Sequence, residues 1–196
     1  MASSLYIVTL EPDSGKLVVT VGLMELLTRT NPRVGFFRPI IPQEPKLNNE
    51  IEVVRRKYHL SFEHDEMYGY RHDEALALSS QGRSKEMMES IIASYKNLLA
   101  QCDVVLCLGL DISGLSSNFD FDINVAIARD LGCPILNVTT GQNKSVEEII
   151  DSIKVAEEII TKSGCEITAT VVPRMDKQVI YETSIKIGRA SCRERV

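Results

Sequence analysis

The sequence predicts an α/β fold, a doubly wound and mainly parallel sheet flanked by helices, and two observations carry that reading. Short apolar runs recur along the chain and are apolar on both faces, as strands covered by helices on either side require. Between them lie longer stretches whose apolar residues repeat at helical spacing, so strand and helix alternate as in successive βαβ units.

The first strand is expected at Leu5–Leu10, followed by a polar turn and a helix from Gly15 to about Arg29. Val34–Arg38 forms the second apolar run. A long helix is predicted near Lys85–Ala100, where Met88, Ile91, Ile92, Tyr95, Leu98 and Leu99 fall at helical spacing as a core stripe. Val104–Gly109 is the third strand, and about Asp122–Leu131 the next helix, with Asp122 as its expected cap and Gly132 before Pro134 as its stop. Ile135–Val138 follows. Ser145 with Glu148 three residues on is a capping box, opening a helix striped by Ile149, Ile150, Ile153, Ala156, Ile159 and Ile160. Ile167–Val172 is the fifth predicted strand.

With 196 residues, 44% hydrophobic and 25% charged, the chain has the size and composition of one water-soluble domain. A net charge of −5 argues against a nucleic-acid or anionic-membrane surface. No apolar run approaches the ~18 residues of a membrane span. The start, MASSLYIVTL, lacks a basic n-region and reads as a first strand rather than a signal peptide. Five cysteines without a CxxC pair are expected to be free thiols in a reducing cytoplasm. The last ten residues, IGRASCRERV, have no fold-extending pattern and resemble a translated sequencing adapter. Residues 1–186 are therefore expected to be the domain and 187–196 a non-native tail. Without Arg189, Arg193, Glu194 and Arg195 a net +2 is removed and the charge becomes −7.

Sheets of this kind bind ligands at the carboxyl ends of their strands, so the stretch TLEPDSGKLVV carries the main question. A strand, a turn ending in Gly-Lys and a helix form the context of a phosphate-binding loop. Ser14, Gly15 and Lys16 are the candidate phosphate-contacting residues: backbone N–H groups and a helix N-terminus face the anion, with lysine as point charge. The rest of the stretch departs from that chemistry. The leading glycine is replaced by Leu10 or Thr9, depending on loop length, and Leu17 stands where a magnesium-coordinating hydroxyl belongs. Glu11 and Asp13 place negative charge in the turn, and their orientation decides how strongly they oppose an anion. A nucleotide hydrolase of this architecture also ends a later strand in a carboxylate on the metal side. Here that strand ends Leu108-Gly109-Leu110, with the first acid at Asp111. An intact ATP site, a modified anion site and a retired loop all remain open on these residues. The two lost magnesium contacts favour the retired loop.

The ordered segments LYIVTLEPDSGKLVVTVGLMELL, RVGFFRPII, DVVLCLGLD and NVAIARDLGCPILNV together resemble the N-terminal domain of long-form bacterial phosphate acetyltransferase. The resemblance runs from about Leu5 to Arg174. That domain is a divergent phosphate-loop fold similar to dethiobiotin synthetase. In that comparison Gly15 and Lys16 match, Leu17 and Leu108 stand for the hydroxyl and the glutamate, and Arg38-Pro39 stands for Lys-Pro. The resemblance implies a parent enzyme moving an acetyl group between coenzyme A and inorganic phosphate. Its chemistry resides in a C-terminal domain, the partner expected to be missing here, while the N-terminal domain serves regulation and oligomer assembly. It further implies a cytoplasmic protein, other copies of the chain and a small-molecule effector as partners, and no catalytic residue, metal or ATP-Mg cofactor in this segment. The alternative is an autonomous ATP-dependent ligase of the dethiobiotin synthetase kind.

Three other groups invite a functional reading. EHDEMYGYRHDEA repeats His-Asp-Glu without a known metal spacing and is expected to be a charged loop and helix start. Asp111, Asp120 and Asp122 flank a ligand-side loop and are expected to cap or face solvent. Ser113, Ser116 and Ser117 lack the partners of a catalytic triad.

Overall fold

A computed structural model describes residues 3–43, 48–110, 117–176 and 179–180, with the backbone alone for 117–121. Its elements are β1 (Ser3–Val8), α1 (Lys16–Thr30), β2 (Val34–Ile41), α2 (Asn49–Lys57), β3 (Tyr68–Arg71), α3 (His72–Ser80), α4 (Ser84–Leu99), β4 (Val104–Leu108), α5 (Ser117–Leu131), β5 (Ile135–Val138), α6 (Val146–Lys162) and β6 (Ile167–Val171). A single 3-10 turn, His64–Met67, precedes β3. The strands form one sheet in the order β3-β2-β4-β1-β5-β6, and every described pairing is parallel. The predicted α/β class and parallel sheet are observed.

The apolar runs form strands because both sheet faces are covered. β2, β4 and β5 are buried at every position. This strand order, taken with the right-handed crossover rule for parallel sheets, assigns α1 and α2 to one face and α3 to α6 to the other. Register brings Tyr6, Cys107 and Phe37 into one row, over which Tyr95 of α4 packs its ring 5.9 Å from that of Phe37. Of the predicted α4 stripe, Ile91, Tyr95 and Leu98 are buried while Met88, Ile92 and Leu99 are only partly so; Met87, outside that stripe, is buried in place of Met88. The α6 capping box is present: the Glu148 N–H donates to Ser145 Oγ at 3.3 Å, and Ser145 N–H to Glu148 Oε2 at 2.7 Å. Cys102, Cys107, Cys133 and Cys165 are free thiols. Among the described residues, no helix is long and apolar enough to cross a membrane.

Several elements differ from the sequence expectation. β3 is a sixth strand inside EHDEMYGYRHDEA, whose last His-Asp-Glu does open a helix, α3. The first His-Asp-Glu is structural: His64 is buried, and its Nε2 accepts the Asn48 N–H at 2.9 Å. Helix α2 is additional. Helix α5 begins at Ser117 rather than Asp122, so Asp122 sits inside the helix and does not cap it. Asp111, Ser113 and Ser116 lie outside the described residues, as do the side chains of Ser117 and Asp120 and the tail 187–196.

Candidate functional site

Parallel pairing puts the carboxyl ends of β1, β4 and β5 side by side, with β1 between the other two. The loops leaving them, with that of β2, build the candidate site. After β1 the chain turns sharply: Asp13 has φ 49° and Gly15 φ 82°, the second a left-handed conformation open to glycine and costly for a residue with a Cβ. Gly15 is the N-cap of α1, and the Val18 N–H donates to its carbonyl at 3.0 Å. The predicted trio is thus brought together at the helix start. Ser14 and Lys16 are buried, at 2% and 4% exposure.

The Lys16 ammonium points across the sheet end to β4, where Nζ donates to the Gly109 carbonyl at 2.6 Å. The same carbonyl receives Nη2 of Arg38 at 3.4 Å. Arg38 enters from β2, is fully buried, and forms an ion pair with Glu50 of α2. Its Nη1 also donates to Asn48 Oδ1 at 3.3 Å, the atom that caps α2 by accepting the Ile51 N–H. Two buried cations from two different elements are therefore gathered on one strand terminus. Asn124 of α5 completes the clasp: Oδ1 accepts the Leu110 N–H at 2.8 Å and the Tyr6 hydroxyl at 3.3 Å, while Nδ2 donates to the Leu110 carbonyl at 3.0 Å.

The acids of the turn are divided. Glu11 turns toward the β5–α6 connection, where it accepts the Thr140 N–H at 3.0 Å and pairs with Lys144. Asp13 is exposed, and its carbonyl receives Nη1 of Arg174 at 3.1 Å. Glu11 is thereby neutralised by its own partner, so the turn opposes an anion less than its sequence suggests. Partial burial alone would raise the Glu11 carboxyl, but Lys144 and the Thr140 N–H outweigh it and hold its pKa below the ordinary 4.5. A depressed folded value stabilises above the unfolded value and is lost as pH falls through the folded one. Glu11→Gln is accordingly expected to cost about 1 kcal/mol at neutral pH, a difference that shrinks progressively below the ordinary carboxyl range. Urea midpoints of both proteins at neutral and acid pH would check it; a difference independent of pH would contradict this origin.

Both positions at which a magnesium-dependent phosphate loop places oxygen ligands hold leucine. Leu17 is half-buried in the position after the lysine, and Leu108, at the end of β4, is sealed in the core at 0% exposure. Neither side chain offers oxygen to a hard cation. Among the described residues, no group of three or more His, Cys, Asp or Glu is placed to hold a metal. Beside the loop lies a cavity of about 520 Å³, bounded by Leu10, Glu11, Thr139, Lys144, Asp151 and Val155, among others. Its volume suits a small molecule.

Sequence reasoning singled out Ser14, Gly15 and Lys16 but gave no role to Asn48, Glu50 and Asn124. In the sequence comparison Arg38 figures only as part of the Arg38-Pro39 pair. A charged residue inside an all-apolar run such as VGFFRPII is the signal that could have found the buried clasp, since such a charge needs a partner.

This fold and turn define a phosphate-loop α/β domain. Residues 3–187 match the family model for an AAA domain, and the chain belongs to that family. Phosphate acetyltransferase from Nitratidesulfovibrio vulgaris is 34% identical over 176 residues, covering 89% of this chain and 25% of the relative. Phosphate acetyltransferase from Synechocystis is 31% identical over 189 residues, covering 95% and 27%. The chain thus spans about a quarter of the length of these relatives. Among solved structures, a GTPase from Pyrococcus abyssi aligns with TM-score 0.54 and 14% identity, covering 95% of this chain and 72% of that one. The kinase domain of the Escherichia coli tyrosine kinase ETK aligns at 0.56 and 13%, covering 90% and 69%. At such identities these structures establish the fold alone.

Proposed function

We propose that this chain is the N-terminal regulatory and assembly portion of a cytoplasmic phosphate acetyltransferase. The parent reaction is acetyl-CoA + phosphate = acetyl phosphate + CoA, and the present segment does not perform it. The partial coverage of the acetyltransferase relatives supports the parent assignment. One observation carries the non-catalytic reading: the two positions where a magnesium-dependent phosphate loop needs oxygen ligands hold Leu17 and the sealed Leu108. Ser14, Gly15 and Lys16 then serve the turn, the helix start and the clasp on Gly109 rather than a triphosphate. The cavity beside Glu11 and Lys144 is the place for a small-molecule effector, because its walls join the loop after β1 to α6.

The test uses the full-length gene product, with and without residues 1–186. Acetyl phosphate formation from acetyl-CoA and phosphate is expected in both, with oligomer size or effector response altered by the deletion. Acetyl transfer absent from the full-length protein would overturn the parent assignment. ATP-dependent ring closure by residues 1–186 alone would establish the ligase alternative instead.

A further inference from the structure

Helix α1 is apolar on its outward side as well as on its core side, where Val19, Leu23 and Leu27 pack against the core beside Met24. The side it turns to the sheet carries buried Lys16, Thr20 and Met24, and the Thr20 hydroxyl is satisfied by the Lys16 carbonyl at 2.8 Å. Its outward side carries Val18 at 70% exposure and Leu26 at 60%, the two most exposed large apolar residues described. Gly22 lies between them at helical spacing of four, so the three residues form one stripe. A helix apolar on its outward side as well as within is a helix that is covered.

Gly22 adds an independent indication. Glycine in mid-helix is entropically unfavourable and is kept where a backbone must approach closely. Among the described residues nothing lies within 4 Å of a Cβ built at Gly22, so no described contact accounts for the residue. Leu26, Gly22 and Val18 together offer a shallow apolar notch that admits a neighbouring backbone.

We propose that this α1 face is the docking surface for the acetyltransferase portion of the same polypeptide, an inference that rests on the parent assignment above. Two observations favour that occupant over a second copy of the domain. The relatives are about four times the matched length, so a large covering body is available in cis. The described chain also passes the start of α1: after β6, Pro173 lies against Gly15, with Pro173 Cγ 3.3 Å from a Cβ built there, and Arg174 reaches Asp13, before Met175 packs against Gly141 of the β5–α6 connection. Pro173 and Arg174 thus pass the N-terminus of α1 within one helical turn of Val18. A small stripe is far from the ~800 Å² per partner that holds separate chains together. A tethered partner needs less, because its effective concentration reaches the millimolar range.

The test places a photo-crosslinking benzoylphenylalanine at Leu26 of the full-length gene product, with Leu76, an exposed residue of α3, as the control position. Adducts are sized and mapped by mass spectrometry. The expected product migrates as a single chain, joins α1 to a peptide C-terminal to this segment, and exceeds the Leu76 control by about tenfold or more. Gly22→Ala, which favours helix and so does not act by unfolding, is expected to lower that yield severalfold. An adduct joining two chains, a partner peptide within residues 1–180, a yield no higher than the control, or indifference to Gly22→Ala would each overturn the proposal. Acetyl transfer is assayed on the same preparation. Its absence would remove the parent assignment, whereas activity without the expected adduct would remove the docking surface alone.

Discussion

Arg38→Met is expected to destabilise the domain by about 3 kcal/mol, lowering the thermal midpoint by roughly 6–12 °C for a chain of this size. Methionine can follow the path of the arginine stem, so the loss measures the charge more than the packing. Arg38 has no exposure to water, and its guanidinium meets Glu50, the Asn48 side chain and the Gly109 carbonyl. Removing it strands the Glu50 carboxylate, whose side chain retains 19% exposure. That residual access lets water recover part of the cost, which places the effect at the low end for a broken buried pair. The Glu50→Gln variant and the double variant complete a cycle. Strong coupling between the two sites is expected, because each single change leaves the other group without its partner. A loss below about 1 kcal/mol for Arg38→Met would mean that the guanidinium is not a structural element of the clasp.

Gly109→Ala is the second large effect, with an expected loss of about 2–4 kcal/mol in urea unfolding. A Cβ at this position would lie 2.7 Å from Asn124 Oδ1, 3.0 Å from the Ile7 carbonyl oxygen and 3.0 Å from Tyr6 Cε1. The Ile7 oxygen is backbone at the centre of the sheet, held there by the Gly109 N–H at 2.9 Å, and cannot yield without breaking the β1–β4 junction. Moving Asn124 would release the Leu110 N–H and the Tyr6 hydroxyl together. The glycine is thus required by close approach of three neighbours. A Gly109→Ala protein of unchanged stability would show that the end of β4 is less tightly clasped than these distances imply.

Both effects centre on a strand terminus that the sequence marks poorly. The strands of the sheet interior were legible because burial on both faces leaves unbroken apolar runs, as in VVLCL of β4. β3 was not legible: its four residues, Tyr-Gly-Tyr-Arg, are half-buried at the sheet edge and carry no such run. α2 was hidden for a related reason, since only Ile51 and Val54 of its nine residues are buried among charges. The start of α5 was placed too late because the residues before Asp122 lack a clear apolar repeat.

The candidate site divides in the same way. Ser14, Gly15 and Lys16 are contiguous and follow a strand, so local pattern located them. The Glu11–Lys144 pair and the meeting of Lys16, Arg38 and Asn124 around Gly109 and Leu110 depend on β1, β2, β4 and β5 being neighbours in the sheet. Sheet order is not written in any local window. The orientation of Glu11 illustrates the consequence: charge in the turn was visible, its neutralisation by Lys144 was not.

The reading of the turn as a scaffold without nucleotide chemistry is tested most directly by following thermal unfolding of the chain while ATP and magnesium are titrated. A ligand bound by the folded state alone raises stability by about 2.7 kcal/mol at one hundred times its Kd. The account predicts a midpoint unchanged through the millimolar range. A nucleotide-dependent rise of several degrees, corresponding to submillimolar affinity and abolished in Lys16→Ala, would contradict it.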